Sequence, residues 1–325
     1  MMKSNHRAIM GIDIEQAAAL LRAGELVAIP TETVYGLAGN ALDEVAVSHI
    51  FAVKNRPSFD PLIVHIAFQE QLQELTQEVP APARLLAEVF WPGPLTLLLP
   101  RQRIIPDLVT AGSPLVALRI PQHPLALALL QQLPFPLAAP SANPFGYISP
   151  TTAQHVAQQL GDKIPYILDG GPCTVGVEST IVGFVDGKIT IYRKGGISIE
   201  SIEKIVGAVA VQPHSTSRPQ APGMLKSHYA PRVPLLLGNI ADLLPVFANK
   251  KIGLISFQQP YPTVPAERQV ILSAQGDFAE AARHLFAGMR YLDSLNLDVM
   301  LAELLPEQDL GRAINDRLRR AAAEG

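Results

Sequence analysis

Cations, hydroxyls and carboxylates recur in this 325-residue chain at the ends of short apolar runs, where α/β proteins usually bind ligands. Lys54-Asn55-Arg56 sets two cations with one residue between them on a helix-ending loop, where Pro57 disfavours further helix. Such a pair suits phosphate oxygens, arginine by its fork and lysine as a point charge. Arg119 stands inside the apolar run Leu118-Arg119-Ile120. A buried guanidinium needs an anion, which a protein carboxylate or a ligand carboxylate could supply. Arg193 and Lys194 follow a further apolar stretch, and Thr31, Thr33, Ser141 and Ser179 add hydroxyls beside the Glu32 carboxylate. Taken singly, these residues also have ordinary structural explanations. Thr31-Glu32-Thr33 fits a threonine-rich turn or cap, and His65, within Ile63-Val64-His65, fits a core histidine.

The elements that must position these residues follow from periodicity. Ile14, Ala17, Ala18 and Leu21 recur at helical spacing over 13–23, ended by Gly24. Asp43 suits the N-cap of a helix with Val47, Ile50 and Phe51 on its apolar face. Short strands are predicted at 26–29, 62–66, 95–99, 116–120 and 137–139, with helices near 82–89, 124–132 and 151–160. The run Gln212-Pro213-His214-Ser215-Thr216-Ser217-Arg218-Pro219 reads as a linker. Beyond it, strands at 234–238, 252–256, 269–272 and 298–303 alternate with helices at 239–248, 277–294 and 310–323, the pattern of a small parallel sheet. The predicted organisation is a first domain over 1–210, a linker over 211–232 and a second domain over 233–325.

Composition removes whole classes of function. The chain is 48% hydrophobic and 17% charged, enough to bury large cores and too little charge for a disordered chain or a coiled coil. Its 29 prolines interrupt too often for a helical bundle. At net charge −3 it has no global attraction for nucleic acid, so any phosphate binding must come from a local basic pocket. One cysteine, Cys173, excludes internal disulfides and a multi-cysteine metal cage. No apolar run approaches about 18 residues and none follows the N-terminus, so a cytoplasmic protein without signal peptide or membrane span is expected. The common phosphate-binding glycine loops, a paired-histidine metal motif and a serine-hydrolase elbow are all absent.

In order and spacing, however, the segments resemble the YrdC-like family in its two-domain form. P-T-E-T-V-Y-G-L (30–37), K-x-R-P (54–57) with P-L-I-V-H (61–65), W-P-G-P-L-T (91–96), R-I-P (119–121), P-S-A-N (140–143) and V-E-S-T-I-V (177–182) carry the resemblance. A-P-G-M-L-K-S-H-Y-A-P (221–231) extends it through the linker. The implied fold is α/β: an N-terminal YrdC-like twisted open sheet with a concave active-site cavity, plus a small C-terminal Rossmann-like domain. The implied reaction is that of an L-threonylcarbamoyladenylate synthase, a nucleotidyltransferase joining L-threonine, bicarbonate or CO2 and ATP with release of pyrophosphate. A partner threonylcarbamoyl transferase complex would then modify adenosine in tRNA, without a stable tRNA contact on this chain.

Carried over by motif position, Thr33, His65, Arg119, Ala139 and Ser179 are expected to line the threonine site, Arg119 gripping the carboxylate. Arg56, Asp60, Leu115, Ser141, Asn143, Ser149, Arg193 and Tyr229 are expected at ATP, with Lys54 and Arg56 as the catalytic pair at its phosphates and Tyr229 in a lid. Mg2+ would arrive with ATP, held by phosphates, so no metal ligand and no organic cofactor is predicted. Asp60 stands where the family often has Asn, and Leu115 where it has a nucleotide-contacting threonine. Two other readings are an RNA-binding module without turnover and a related carbamoyl-adenylate-forming enzyme. Net charge and the lack of an RNP-like aromatic motif count against the first. A single cysteine counts against the zinc-finger-bearing hydrogenase maturation proteins.

Overall fold

The structure is a computed structural model that describes residues 7–185, 187–212, 221–222 and 228–323. Among these, eleven strands form one mixed sheet: β1 (Ile9–Gly11), β2 (Val27–Ile29), β3 (Gly36–Asn40), β4 (Ile63–His65), β5 (Leu95–Pro100), β6 (Leu115–Arg119), β7 (Leu137–Ala138), β8 (Tyr166–Leu168), β9 (Thr180–Val185), β10 (Lys188–Arg193) and β11 (Ala210–Val211). Their order is β1-β8-β2-β3-β7-β4-β6-β5-β9-β10-β11. The second sheet holds β12 (Leu235–Leu237), β13 (Ile252–Ser256), β14 (Gln269–Ile271) and β15 (Val299–Ala302) in the order β12-β15-β13-β14, every pair parallel. The strands and helices read from periodicity fall within a few residues of these elements. β3, β8 and the antiparallel pair β9–β10 were not among them; for β3 the reason is that Gly36–Asn40 carries no β-branched residue and follows directly on a polar turn.

Register places the chemistry. β4 and β6 run parallel with His65 beside Arg119, so the two side chains end neighbouring strands. β9 runs parallel to β5 and starts at Thr180, immediately after Ser179, while Arg193 ends β10 opposite Ile181. The segment Tyr35–Leu37 is zipped to Pro140–Ala142 by backbone bonds from Leu37 N to Pro140 O (2.7 Å) and from Ala142 N to Tyr35 O (2.8 Å). Gly36 eases this close approach, since a Cβ there would sit 3.2 Å from the Ala139 Cβ, tighter than ordinary side-chain contact.

The main core lies around β2–β6 and includes Leu37, Val64, Leu97, Leu118 and Val182. A separate cluster unites the two sheets' domains. Val34, Ile148 and Val177 pack with Leu285, Phe286 and Met289 of the helix Phe278–Asp293 and with Ile314 and Leu318 of the helix Gly311–Ala321. The contact is close enough that a Cβ on Gly176, whose φ is +81°, would lie 2.4 Å from the Arg283 Cα. Polar bonds fix it further: Arg290 Nε donates to Ser149 O (3.1 Å), and the Tyr147 hydroxyl donates to Asp293 Oδ2 (2.5 Å).

Candidate active site

The ends of these strands and the zipped loops enclose a cleft of about 570 Å³. Thr33, His65, Arg119, Ala139 and Ser179 line it, as do Arg56, Ser141, Arg193 and Tyr229. Nine of the residues singled out by motif therefore meet in one space, although they lie up to 196 positions apart in the chain, from Thr33 to Tyr229.

One wall is built around Arg119. Thr31 makes the turn that carries Thr33: its hydroxyl donates to Val34 O (2.6 Å) and lies 2.8 Å from Thr33 Oγ1. Arg119 then donates through Nη1 to Thr33 Oγ1 (2.9 Å), through Nε to Gly93 O (3.2 Å) and through Nη2 to Glu32 Oε1 (2.5 Å). The structural partner of the buried guanidinium is thus Glu32. Among the described residues three of the five guanidinium N–H groups are used, leaving one on each terminal nitrogen for a ligand. His65 Nδ1 is buried and has no hydrogen-bond partner among the described residues, so His65 is not a satisfied core histidine. Burial, reinforced by Arg119, pushes its pKa down to about 3, and the ring is neutral at physiological pH.

The other wall gathers cations. Arg193 donates to Ser179 O (3.0 Å), Ser179 Oγ (2.9 Å) and Pro222 O (3.3 Å), tying β10 to the linker. Ser179 Oγ lies 2.7 Å from Thr96 Oγ1. Arg56 lies 2.9 Å from Asp60 Oδ2 and donates to the carbonyls of Asp60 and Pro61. Burial lowers both Arg56 and Arg193, the latter to about 10, and raises Asp60 despite its neighbouring cation. Tyr229 closes this wall with its ring 4.7 Å from the Arg320 guanidinium, 5.4 Å from that of Arg317 and 5.3 Å from the Phe286 ring.

Five residues expected at the site stand behind it or beside it. Lys54 is fully buried, and its Nζ donates to the carbonyl oxygens of Ser141 (2.5 Å) and Asn143, so it braces the P-S-A-N turn from below. Burial, with Arg56 adding to it, pulls its pKa well below the lysine range. Asn143 donates to Pro144 O and Tyr147 O, inside the same turn. Asp60 serves as the ion-pair partner of Arg56. The Ser149 hydroxyl donates to Glu178 Oε1 (2.6 Å). Leu115 shares its strand face with Ala117 and Arg119 and packs in the small apolar cluster with Ala221. Thr31, noted for its hydroxyl but given no role, also lines the cleft, and Gly36, Glu178 and His228 line it without having been singled out. Glu178 precedes Ser179 in the same motif, which was the available signal. Residues 223–227 of the linker motif lie outside the described residues.

Residues 19–195 match the family model described as Telomere recombination (Sua5_yciO_yrdC), and residues 197–323 match that of the threonylcarbamoyl-AMP synthase C-terminal domain. The chain belongs to the threonylcarbamoyl-AMP synthase family. It is 42% identical to the threonylcarbamoyl-AMP synthase of Pyrococcus abyssi, covering 95% of this chain and 94% of that one. Its identity to the threonylcarbamoyl-AMP synthase of Bacillus subtilis is 41%, covering 95% and 92%. The crystal structure of P. abyssi Sua5 complexed with L-threonine superposes with a TM-score of 0.90 at 42% identity over 95% of this chain and 94% of that chain. E. coli YciO shares the fold alone, at 21% identity and a TM-score of 0.50, covering 58% of this chain and 94% of its own. The two-domain α/β architecture expected from the motifs is therefore that of the threonylcarbamoyl-AMP synthase family. No helix among the described residues is long and apolar enough to cross a membrane.

Proposed function

We propose that this chain is an L-threonylcarbamoyladenylate synthase. The threonine amine and bicarbonate give a carbamate; a carbamate oxygen attacks the α-phosphate of ATP, the bond to the β,γ-phosphates breaks, and pyrophosphate and water leave. The observation that carries this reading is the convergence of Thr33, His65, Arg119, Ala139 and Ser179 with Arg56, Ser141, Arg193 and Tyr229 in one cleft. The two remaining N–H groups of Arg119 would receive the threonine carboxylate, beside a neutral His65. The apolar Ala139 and Ile63 would accept the threonine methyl. Arg56 and Arg193 would meet the triphosphate, and Tyr229 would cover the nucleotide.

On this reading Lys54, Asp60, Asn143 and Ser149 act through the groups they hold, and Leu115 contributes backbone and packing. A carbamate hydrolyses readily, so a closed, water-poor cleft serves the chemistry, and no protein nucleophile is needed. Mg2+ is written as part of the substrate Mg·ATP. The ion would be held mainly by the phosphates rather than by a protein cage. The product would pass to a threonylcarbamoyl transferase acting on tRNA in the cytoplasm. The domain division at 1–210, 211–232 and 233–325 belongs to the same proposal.

The test is pyrophosphate release by the purified chain with L-threonine, bicarbonate and Mg2+ omitted one at a time. Release that requires all three is expected. Release without threonine would point to another acceptor, and ATP binding without release would overturn the reading in favour of a binding module.

A further inference from the structure

The cleft wall contains a carboxylate that an enzyme for anionic substrates should avoid. Glu178 is 7% exposed, accepts a hydrogen bond from Ser149 and lines the cleft together with Arg193, whose charge it feels. Left alone, it would repel phosphate and draw Arg193 to itself. It is not left alone. Arg317, from the helix Gly311–Ala321 of the C-terminal domain, donates through Nε to Glu178 Oε2 at 2.9 Å. Its Nη1 donates to Lys194 O (2.7 Å) and to Asp316 Oδ2 (3.0 Å), which aims the guanidinium. Both carboxylate oxygens of Glu178 are thereby occupied, one by Ser149 and one by Arg317. The hydrogen-bond partners of Arg193 are Ser179 and Pro222, so no hydrogen bond ties it to Glu178 and its guanidinium still lines the cleft.

We propose, on the synthase reading, that Arg317 is a positioning residue for nucleotide binding, which neutralises Glu178 from across the domain interface and keeps Arg193 free for the phosphates. Docking of the C-terminal domain then becomes a condition for ATP binding, because the neutralising charge arrives only with it. The charged and titratable groups around Glu178 are consistent with this. Arg317 and Arg193 face it as cations, Tyr229 lies against Arg317, and Asp316 and Arg320 stand beyond it. Burial alone would raise Glu178; Arg317, Arg193 and the Ser149 hydroxyl together hold it below its ordinary value.

The experiment is a double-variant cycle in the full chain with R317M, E178Q and the pair, reading ATP affinity by equilibrium binding and the KM values for ATP and threonine separately. R317M is expected to weaken ATP binding about tenfold or more, with a smaller change in the threonine KM. In the E178Q background the same replacement should change ATP affinity by less than about twofold, since no orphaned carboxylate remains. R317M should also regain ATP affinity as pH falls, because protonation neutralises the released Glu178, whereas the wild-type chain should not. Equal losses in kcat and both KM values, with a further tenfold loss in the E178Q background and no pH dependence, would overturn the proposal. Should R317M not fold, the comparison of E178Q with E178Q/R317M decides by the same criterion, as residue 178 is uncharged in both and Asp316 keeps Arg320 at 3.6 Å when Arg317 is replaced. ATP binding is read without turnover, so a failed synthase assay on the wild-type chain would be distinguished from a failed role for Arg317.

Discussion

The two walls of the cleft are made by different means. The Arg119 wall is built within the first domain: two strands in register present His65 and Arg119, and one turn supplies both Glu32 and Thr33. Arg119, Glu32, Thr33 and Thr31 are bonded to one another, which fixes them before any ligand arrives. The Arg193 wall is assembled from distant pieces: β10, the linker carbonyl of Pro222, Tyr229, and the cations Arg317 and Arg320 of the last helix. A rigid pocket suits a small amino acid, whose few contacts must discriminate by position. A wall shared between domains suits a larger substrate that must enter and leave, because its parts can separate without unfolding the sheet.

The largest expected effect comes from removing the second contributor altogether. A chain ending at residue 210 lacks Tyr229, Arg317 and Arg320 and leaves Glu178 without its ion-pair partner. Pyrophosphate release should be lost, while circular dichroism still reports a folded first domain held by its own core around β2–β6. Undiminished turnover would break the comparison, since the Arg193 wall would then be complete within the first domain. A smaller, selective effect is expected at the other wall. Arg119→Lys keeps charge but forfeits the fork that joins Glu32, Thr33 and ligand. Losing one charge-assisted bond of about 1.5–3 kcal/mol should raise the threonine KM by about 10- to 150-fold and the ATP KM far less. Equal changes in both would mean that Arg119 only holds the strands.

The same division explains what could be read in the sequence. The Arg119 wall was legible because its residues lie in compact motifs whose strands are apolar and whose charges are out of place. Arg119 inside Leu-Arg-Ile asked for an anion, and the structure supplies Glu32, one of the two partners that chemistry allows. Lys54 illustrates the limit: its type suggested phosphate, but only tertiary structure could reveal that two carbonyls consume its N–H groups. The last helix is a stronger case. The sequence predicts a helix over 310–323 but not what its charges meet, and Arg317 and Arg320 are 0% and 2% exposed. A charged face can be buried only against a partner of opposite charge, and that partner, Glu178, lies 139 positions earlier in another domain. Periodicity within a helix carries no information about it. The short strands β3 and β8 escaped for a related reason, since pairing with neighbours rather than local composition defines them.

The smallest effect is a slope rather than a loss, and it tests whether the Arg119 wall is as preset as it looks. His65 is buried beside Arg119 with its pKa down to about 3, against an ordinary 6.5. Between those values the unfolded chain binds a proton that the folded chain refuses. This contribution to stability is therefore complete above about pH 6.5 and is lost progressively as pH falls toward 3. His65→Gln removes the titrating group, so its unfolding free energy should fall less steeply across that window than that of the wild-type chain. His228, also buried and depressed, contributes to both curves and cancels in their difference. In turnover the prediction takes the opposite form: because the imidazole is already neutral, threonine affinity should show no limb near pH 6.5. A limb there that disappears in His65→Gln would mean that imidazolium forms beside the Arg119 guanidinium in the open cleft. In that event the wall would rearrange between its free and occupied states, and the contrast between a preset and an assembled side of the cleft would fail.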